Sequence, residues 1–335
     1  MGRIFGSLHH RLHRTLHQKK LLPAGQRLLV AVSGGQDSLC LWKLLSELQP
    51  KWGWELAIAH CDHGWELDAG LADHVATFAQ SQKAQFHLRK TNPETPLPPT
   101  EAAARDWRYT VLAEIAQTHN YTYVVTGHTL SDRAETLLYN LFRGSGADGL
   151  QSLTWQRPLA PALHLTRPLL DISRLETGDF CRQYQLPVWE DAYNQDLSYA
   201  RSRIRHQLLP LLSQDFHPQV EVNLAHTAEL LRADVAYLEA QAEEVLHQAQ
   251  QQVGDLACLQ CSILSQVPLA LQRRALRQFL RSTPITAPTF SQIEELISLI
   301  NAPNQTRTST FPKGGSFQVQ KNQSQKNCIC YHPQS

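Results

Sequence analysis

Nowhere in the 335 residues is there an apolar run approaching the roughly 18 that a membrane span requires, and no secretory hydrophobic segment precedes the first strand. Charge of one sign is lacking too: 31 Lys and Arg against 30 Asp and Glu leave +1, a balance that names no partner. The seven cysteines, an odd number in a long chain, make no disulfide framework. There is no internal repeat and no long low-complexity tract. What remains is a soluble, cytoplasmic protein with no membrane partner, whose 42% hydrophobic content suffices for proper cores and whose length suggests two domains. One further absence is local. The first twenty residues carry Arg3, Arg11, Arg14, Lys19 and Lys20 and no acid. Transit peptides share that composition, but the first core strand begins a few residues later, so the segment reads as a basic first helix.

The stretch that organises the chain is Leu28 to Ser38, LLVAVSGGQDS, followed by LCLWKLLSEL. A Val- and Leu-rich run, a Ser-Gly-Gly turn and a Leu-periodic segment predict strand, tight loop and helix. Such a junction is an ordinary structural element or a phosphate site. Gly34 and Gly35 let the backbone approach an anion, and the helix start offers unpaired N–H groups. Ser33 and Ser38 add hydroxyls, Gln36 completes the loop, and Asp37 brings a carboxylate able to hold Mg²⁺ against phosphates. The Gly-Lys-Ser/Thr ending of a P-loop is missing, so hydrolysis of a γ-phosphate is not the obvious chemistry.

Strand and helix then alternate. Glu55 to Cys61 and Gln85 to Leu88 read as strands, the latter leading into the Pro-rich loop TNPETPLPPT; Glu101 to His119 reads as a helix and Tyr121 to Thr126 as a fourth strand. The pattern predicts a parallel sheet covered by helices, with ligands at the carboxyl ends of the strands. The residues there are His60, Asp62 and His63, then Gly127, His128, Ser131, Asp132 and Glu135. A lone His at a strand end is usually a satisfied surface residue; the clustering is what singles these out.

SGGQDS resembles the S-G-G-x-D-S signature of the N-type ATP pyrophosphatases. TGHTLSDRAETLLYNLFRGSGADGL is similar to the G-H-x-x-D-D-x-x-E-T and R-G-S-G-x-x-G-L segments of the tRNA(Ile)-lysidine synthases. Arg105, Arg108 and Tyr109 match that family's A-R-x-x-R-Y helix. WEDAYNQDLSYARSRIRHQLLPLL resembles its W-x-D-x-(S/T)-N segment and R-N-x-I-R-x-x-L-x-P-x-L helix. Two positions depart: Ser131 stands where the family often has Asp, and Ser202 where it has Asn.

The resemblance implies an α/β fold, with a parallel-sheet PP-loop ATP pyrophosphatase domain over residues 1–215 and a smaller, mainly helical tRNA-binding domain with a C-terminal hairpin over 216–335. It implies that ATP adenylates O2 of the wobble cytidine in the CAU anticodon of tRNA(Ile), and that the ε-amine of L-lysine then attacks C2 and expels AMP. Ser33, Gly34, Gly35, Gln36, Asp37 and Ser38 would bind ATP, with Mg²⁺ on Asp37. Arg108 would neutralise phosphate charge. Asp132 and Glu135, one helical turn apart, would hold the lysine, although Glu135 near a helix start also serves the helix dipole. His128 is either the base that takes the amine's proton or a stabiliser of the adenylate.

Beyond Pro210 the composition predicts a long helix from Gln219 to Gln252, shorter ones over Leu269 to Arg281 and Ser291 to Asn301, and a terminal hairpin. Arg273, Arg274, Arg277 and Arg281 form a basic face that is either solvated or, with Arg201, Arg203 and Arg205, tracks an RNA backbone. Cys258 and Cys261 with Cys328 and Cys330 could make a four-thiolate zinc site, but C-x-C is not a usual knuckle and the first pair sits in an apolar, helical context. Self-association as a homodimer stays open. Two rivals share the loop: a tRNA thiolase, which would want cysteines at C-x-x-C spacing near the nucleotide, and a non-catalytic nucleotide- and RNA-binding module, which has no use for the Asp132 and Glu135 pair.

Overall fold

The computed structural model describes residues 6–65, 69–92, 94, 98, 100–189, 197–283, 285, 288–311 and 315–333. Arg3, parts of the Pro-rich loop before residue 100 and residues 190–196 of the tryptophan-led motif lie outside them. The chain divides into two compact units, residues 1–231 and 232–335. The division lies within one long helix.

The first unit runs α1 (Ser7–Gln18), β1 (Arg27–Ala31), α2 (Gln36–Trp52), β2 (Glu55–Asp62), α3 (Leu71–Ser81), β3 (Gln85–Lys90), α4 (Glu101–Thr118), β4 (Tyr123–Thr126), α5 (Leu130–Phe142), α6 (Ala147–Leu150), β5 (Gln156–Ala160), β6 (Leu163–Thr166), α7 (Arg174–Gln183), α8 (Ala200–Arg203), a π-turn (Ile204–Leu208) and α9 (Leu209–Asp215). Its six-stranded sheet has the order β3-β2-β1-β4-β6-β5. All pairings are parallel except that of β5 with β6. That hairpin escaped the sequence reading because Pro158 interrupts the apolar pattern. Pro is tolerated there because β5 is an edge strand.

Side-chain alternation along β1 builds the layers. Leu28 and Val30 enter a core with Leu12, Leu41, Leu44, Val75 and Phe180, while Leu29 joins Ala57, Leu112, Ile115 and Val124 on the other face. Helices therefore cover both faces. Because β1 lies between β2 and β4, the crossovers diverge at its carboxyl end, where such sheets open a crevice.

Helix α10 (Val220–Ala249) carries the chain into the second unit: β7 (Gln250–Val253), β8 (Leu256–Gln260), α11 (Cys261–Leu264), α12 (Leu269–Arg281), α13 (Phe290–Leu299), β9 (Ser316–Lys321) and β10 (Asn327–His332). The terminal hairpin is present, and beside its helices this unit carries a small sheet. β9 and β10 belong to a four-stranded antiparallel sheet, β7-β8-β10-β9, whose first two strands are the Gln-rich end of the predicted long helix and the segment after Gly254. Gly254 has φ +62°, which supplies the tight turn between β7 and β8. One sheet face packs Leu259, Phe317, Val319 and Ile329 against Leu276, Phe279 and Leu296 of the helices.

The cysteines correct the sequence reading. Cys258 lies on β8, not in a helix, and stands directly opposite Cys330 of β10, to which it is disulfide-bonded. Cys261 packs into the helical core, whereas Cys258, Cys328 and Cys330 cluster apart from it, so the four do not converge on one ion. Among the described residues no helix is long and apolar enough to cross a membrane.

Candidate active site

The loop after β1 is shaped by two glycines. Gly34 has φ +90°, and a Cβ there would meet Leu71 Cδ1 at 2.6 Å. Gly127, just past β4, has no room for one either: its Cβ would lie 2.8 Å from the carbonyl oxygen of Asp37. The end of β4 thus presses against the start of α2. Ser38 Oγ donates to the Gly35 carbonyl at 2.8 Å and accepts from Ser33 N at 3.2 Å, which closes the loop on itself. Helix α2 starts at the N-cap Gly35 with no side-chain cap, leaving its first turn to an anion.

Asp37 sits inside this first turn rather than on the surface. Its Oδ2 accepts from Arg174 Nη1 at 3.0 Å, and its Oδ1 accepts from Thr177 Oγ1. Burial raises its pKa against the opposing pull of Arg174. Arg174 and Thr177 come from the start of α7, which a capping box fixes: Ser173 Oγ accepts from Glu176 N, and Glu176 reaches back to Ser173 N at 2.8 Å. Neither was singled out from the sequence, although S-R-L-E is a capping-box signature that marks that helix start.

At the end of β4, His128 Nδ1 lies 2.8 Å from Thr126 Oγ1, and burial keeps the imidazole neutral. Asp132 closes the capping box of α5 by accepting from Thr129 N at 2.7 Å. Burial disfavours its charge, but Arg205 and the Thr129 hydrogen bonds favour it and hold its carboxyl below the usual range. Glu135 is buried, and burial raises its pKa even though Arg205 Nε and Nη2 grip it at 2.6 and 2.9 Å. Arg205 Nη2 also reaches Asp132 Oδ1 at 3.4 Å.

Arg205 therefore corrects an expectation. It was grouped with the RNA-tracking arginines, yet it points inward from the π-turn onto the two carboxylates. The inserted residue of a π-turn shifts helix phase, which a strict 3.6-residue reading does not anticipate. Arg201 does line the site, with its guanidinium 5.6 Å from the Tyr139 ring, whereas Arg203 is turned to the carbonyls of Leu197 and Ser198. Arg273 pairs with Glu294, and Arg274 and Arg277 pair with Glu239, so that stripe is not a bare cationic face. Ser131 hydrogen-bonds Glu221 at 2.6 Å; an Asp there would face a like charge.

Two cavities meet at these residues. The first, about 330 Å³, is lined by the loop residues Ser33, Gly35, Gln36, Asp37 and Ser38 and by the strand ends His60, Cys61 and His63. Gly34 is not among its lining; it serves the turn. The second, about 230 Å³, includes Arg105, Glu135, Tyr199, Arg201 and Ser202. Trp65, Arg108, Tyr109, His128, Asp132 and Arg205 border both. Arg108 is exposed and approaches His63 Nε2 at 3.2 Å. Burial pushes the Cys61 thiol up to about 11, so the cysteine in the first cavity is a poor thiolate.

Asp37, Asp62 and Asp132 are the carboxylates among the described residues of the first cavity, and Asp62 lies 3.5 Å from Lys90 Nζ. Mg²⁺ takes one or two carboxylates and fills its shell with water and phosphate oxygens, which this donor set fits once Arg174 yields an oxygen.

A family model described as a PP-loop domain matches residues 8–212, and one described as the TilS substrate binding domain matches residues 259–323. The chain is 53% identical to a tRNA(Ile)-lysidine synthase of Nostoc sp. over 95% of this chain and 96% of that one. It is also 53% identical to a protein of the same name from Synechocystis sp., over 93% and 95%, and 38% identical to a chloroplastic one from Zygnema circumcarinatum, over 86% and 78%. Among solved structures, a U34-tRNA thiolase from Methanococcus maripaludis aligns with TM-score 0.56 at 17% identity, covering 67% of this chain and 78% of that one, a likeness of fold alone.

Proposed function

This chain belongs to the tRNA(Ile)-lysidine synthase family and forms lysidine on tRNA(Ile) with ATP, and we propose that it does so across the wall between its two cavities. The observation that carries this assignment is the shared wall itself. A nucleotide chamber and a second chamber bordered by the same His, Asp and Arg side chains suit a reaction in which one activated atom is handed from ATP to an RNA base and then to an amine.

ATP enters the first cavity with its phosphates over the Ser33–Ser38 loop and the α2 N-terminus, and Arg108 at the shared wall offsets charge on the α-phosphate. Asp37, with Asp132 behind it, would hold Mg²⁺, which supplies charge neutralisation for the departing pyrophosphate. The wobble cytidine reaches the second cavity, and its O2 takes the adenylyl group. His128, neutral and fixed by Thr126, suits hydrogen bonding to the adenylate better than taking the ε-ammonium proton of lysine, because burial weakens its basicity. Asp132 and Glu135 carry two negative charges against one on Arg205, leaving one unmatched for a substrate ammonium. The second unit's match to a substrate-binding domain supports tRNA contact there, with phosphates exchanging for Glu239 and Glu294 on the α12 arginines. A cytoplasmic location goes with this substrate.

Incubation with ATP and unmodified CAU-anticodon tRNA, with and without lysine, tests the assignment. A lysine-dependent gain in tRNA mass with AMP release is the expected result. Sulfur incorporation would point to the thiolase chemistry, and binding without AMP release to a module with no turnover.

A further inference from the structure

Helix α5, which carries Asp132 and Glu135, is held at two points by one neighbouring helix. Ser131 Oγ donates to Glu221 Oε2 at 2.6 Å, and Arg133 Nη2 donates to Glu229 Oε2 at 2.6 Å. Both acceptors belong to α10, where eight residues separate them by roughly 12 Å along the axis. Ser131 and Arg133 are buried, so neither contact is a loose surface pair. Each is tied in further. The one proton of Ser131 Oγ goes to Glu221, and the same oxygen accepts from Arg174 N at 3.2 Å, which brings in the start of α7. Glu229 also accepts from Lys19 Nζ at 2.7 Å and from Trp155 Nε1 at 3.1 Å, which fixes its carboxylate in place.

Successive side chains of an α-helix are about 100° apart around its axis, so Ser131 and Arg133 leave α5 in directions roughly 200° apart, with Asp132 between them. A helix held at one such point can still roll about its axis; held at both, its phase is set. Roll matters here because the Asp132 and Glu135 carboxylates share Arg205 and border the second cavity. A displacement of about 1 Å at a reacting group can cost on the order of a hundredfold in rate. We propose that Glu221 and Glu229 are positioning residues for lysidine formation: they fix the roll of α5 and so aim Asp132 and Glu135 at the substrate amine. The inference rests on the assignment of those two carboxylates to lysine. It also accounts for the serine at 131. An Asp there would set a second carboxylate against Glu221 and push the helices apart, so in this chain the hydroxyl and Glu221 go together.

Steady-state lysidine formation by the full-length protein is compared for Glu221→Ala, Glu221→Gln, Glu229→Gln, Ser131→Asp and the double variant Ser131→Asp with Glu221→Gln, with ATP affinity and melting temperature measured alongside. Glu221→Ala is expected to raise the lysine concentration for half-maximal rate about tenfold, the worth of one hydrogen bond to a charged group, and to leave ATP affinity unchanged. Glu221→Gln should recover most of that, since its amide oxygen still accepts from Ser131. Glu229→Gln, which weakens the grip on Arg133, should shift the lysine dependence in the same direction as Glu221→Ala. Ser131→Asp should be impaired by like-charge repulsion, and the double variant should regain lysine affinity because the Gln amide donates to the new carboxylate. A contact that serves stability alone would move the melting temperature and leave the lysine dependence where it is, and that result in folded Glu221→Ala and Glu229→Gln proteins overturns the proposal. So does a Ser131→Asp defect that Glu221→Gln does not relieve. If Asp132→Asn and Glu135→Gln themselves keep wild-type lysine dependence, the assignment of the amine site is what fails, and the clamp falls with it.

Discussion

Replacing Glu135 with Gln tests the amine site at its most buried member. The side chain is 3% exposed and makes two hydrogen bonds to Arg205, with Asp132 as that guanidinium's third contact. Two carboxylates against one guanidinium leave one negative charge; the substitution removes it while preserving shape. A substrate ammonium then meets a neutral cluster. Losing one charge-assisted partner in a desolvated site costs about 2–3 kcal/mol, or roughly thirty- to hundredfold in apparent lysine affinity. The assay is the lysine concentration giving half-maximal lysidine formation at saturating ATP and tRNA, with direct binding of ATP and tRNA alongside. Adenylated tRNA is expected to accumulate in the variant at low lysine. Asp132→Asn should act in the same direction. Wild-type lysine dependence combined with weakened ATP or Mg²⁺ binding would refute the reasoning and hand these carboxylates to the nucleotide.

Asp37→Ala is expected to abolish AMP and pyrophosphate release, and also to lower the melting temperature, because it strands Arg174 and Thr177 in a mostly buried contact; turnover with normal melting would remove Asp37 from the mechanism. Gly127→Ala drives a methyl group to 2.8 Å from the Asp37 carbonyl oxygen, so ATP affinity should fall with stability, as read by calorimetry and thermal melting. Neutralising Arg273, Arg274 and Arg277 to Gln should weaken tRNA binding and flatten its dependence on salt without altering lysine affinity; an unchanged salt slope would confine these residues to their pairs with Glu294 and Glu239. His63 titrates at about 4 when folded against 6.5 when unfolded, so between those values the unfolded chain binds more protons and stability falls as pH drops through the window. His63→Phe should shallow that acid limb in a plot of melting temperature against pH.

The nucleotide loop was legible from Leu28 to Ser38 because every feature that makes it is local: a strand's apolar run, glycines that permit a tight turn, and a helix whose first donors need no partner from elsewhere in the chain. Helix α12 was legible for the same reason, since its apolar stripe repeats within 13 residues. The clustering of His60, His63, His128, Asp132 and Glu135 followed from strand alternation, which places successive strand ends on one edge of a parallel sheet. What each side chain faces was not local. Whether Arg205 meets RNA or Glu135 depends on one residue of helix phase in the π-turn, and the pairing of Asp37 with Arg174 joins positions far apart in sequence. The arginines of α12 looked like a charged face because their acids lie on α10 and α13, which composition along one helix does not reveal. Sequence by itself thus determined the chemical types present and the edge of the sheet they gather on, since backbone preference and period act over a few residues. Only the tertiary structure decided which charges neutralise each other, because electrostatics and hydrogen bonding act through space.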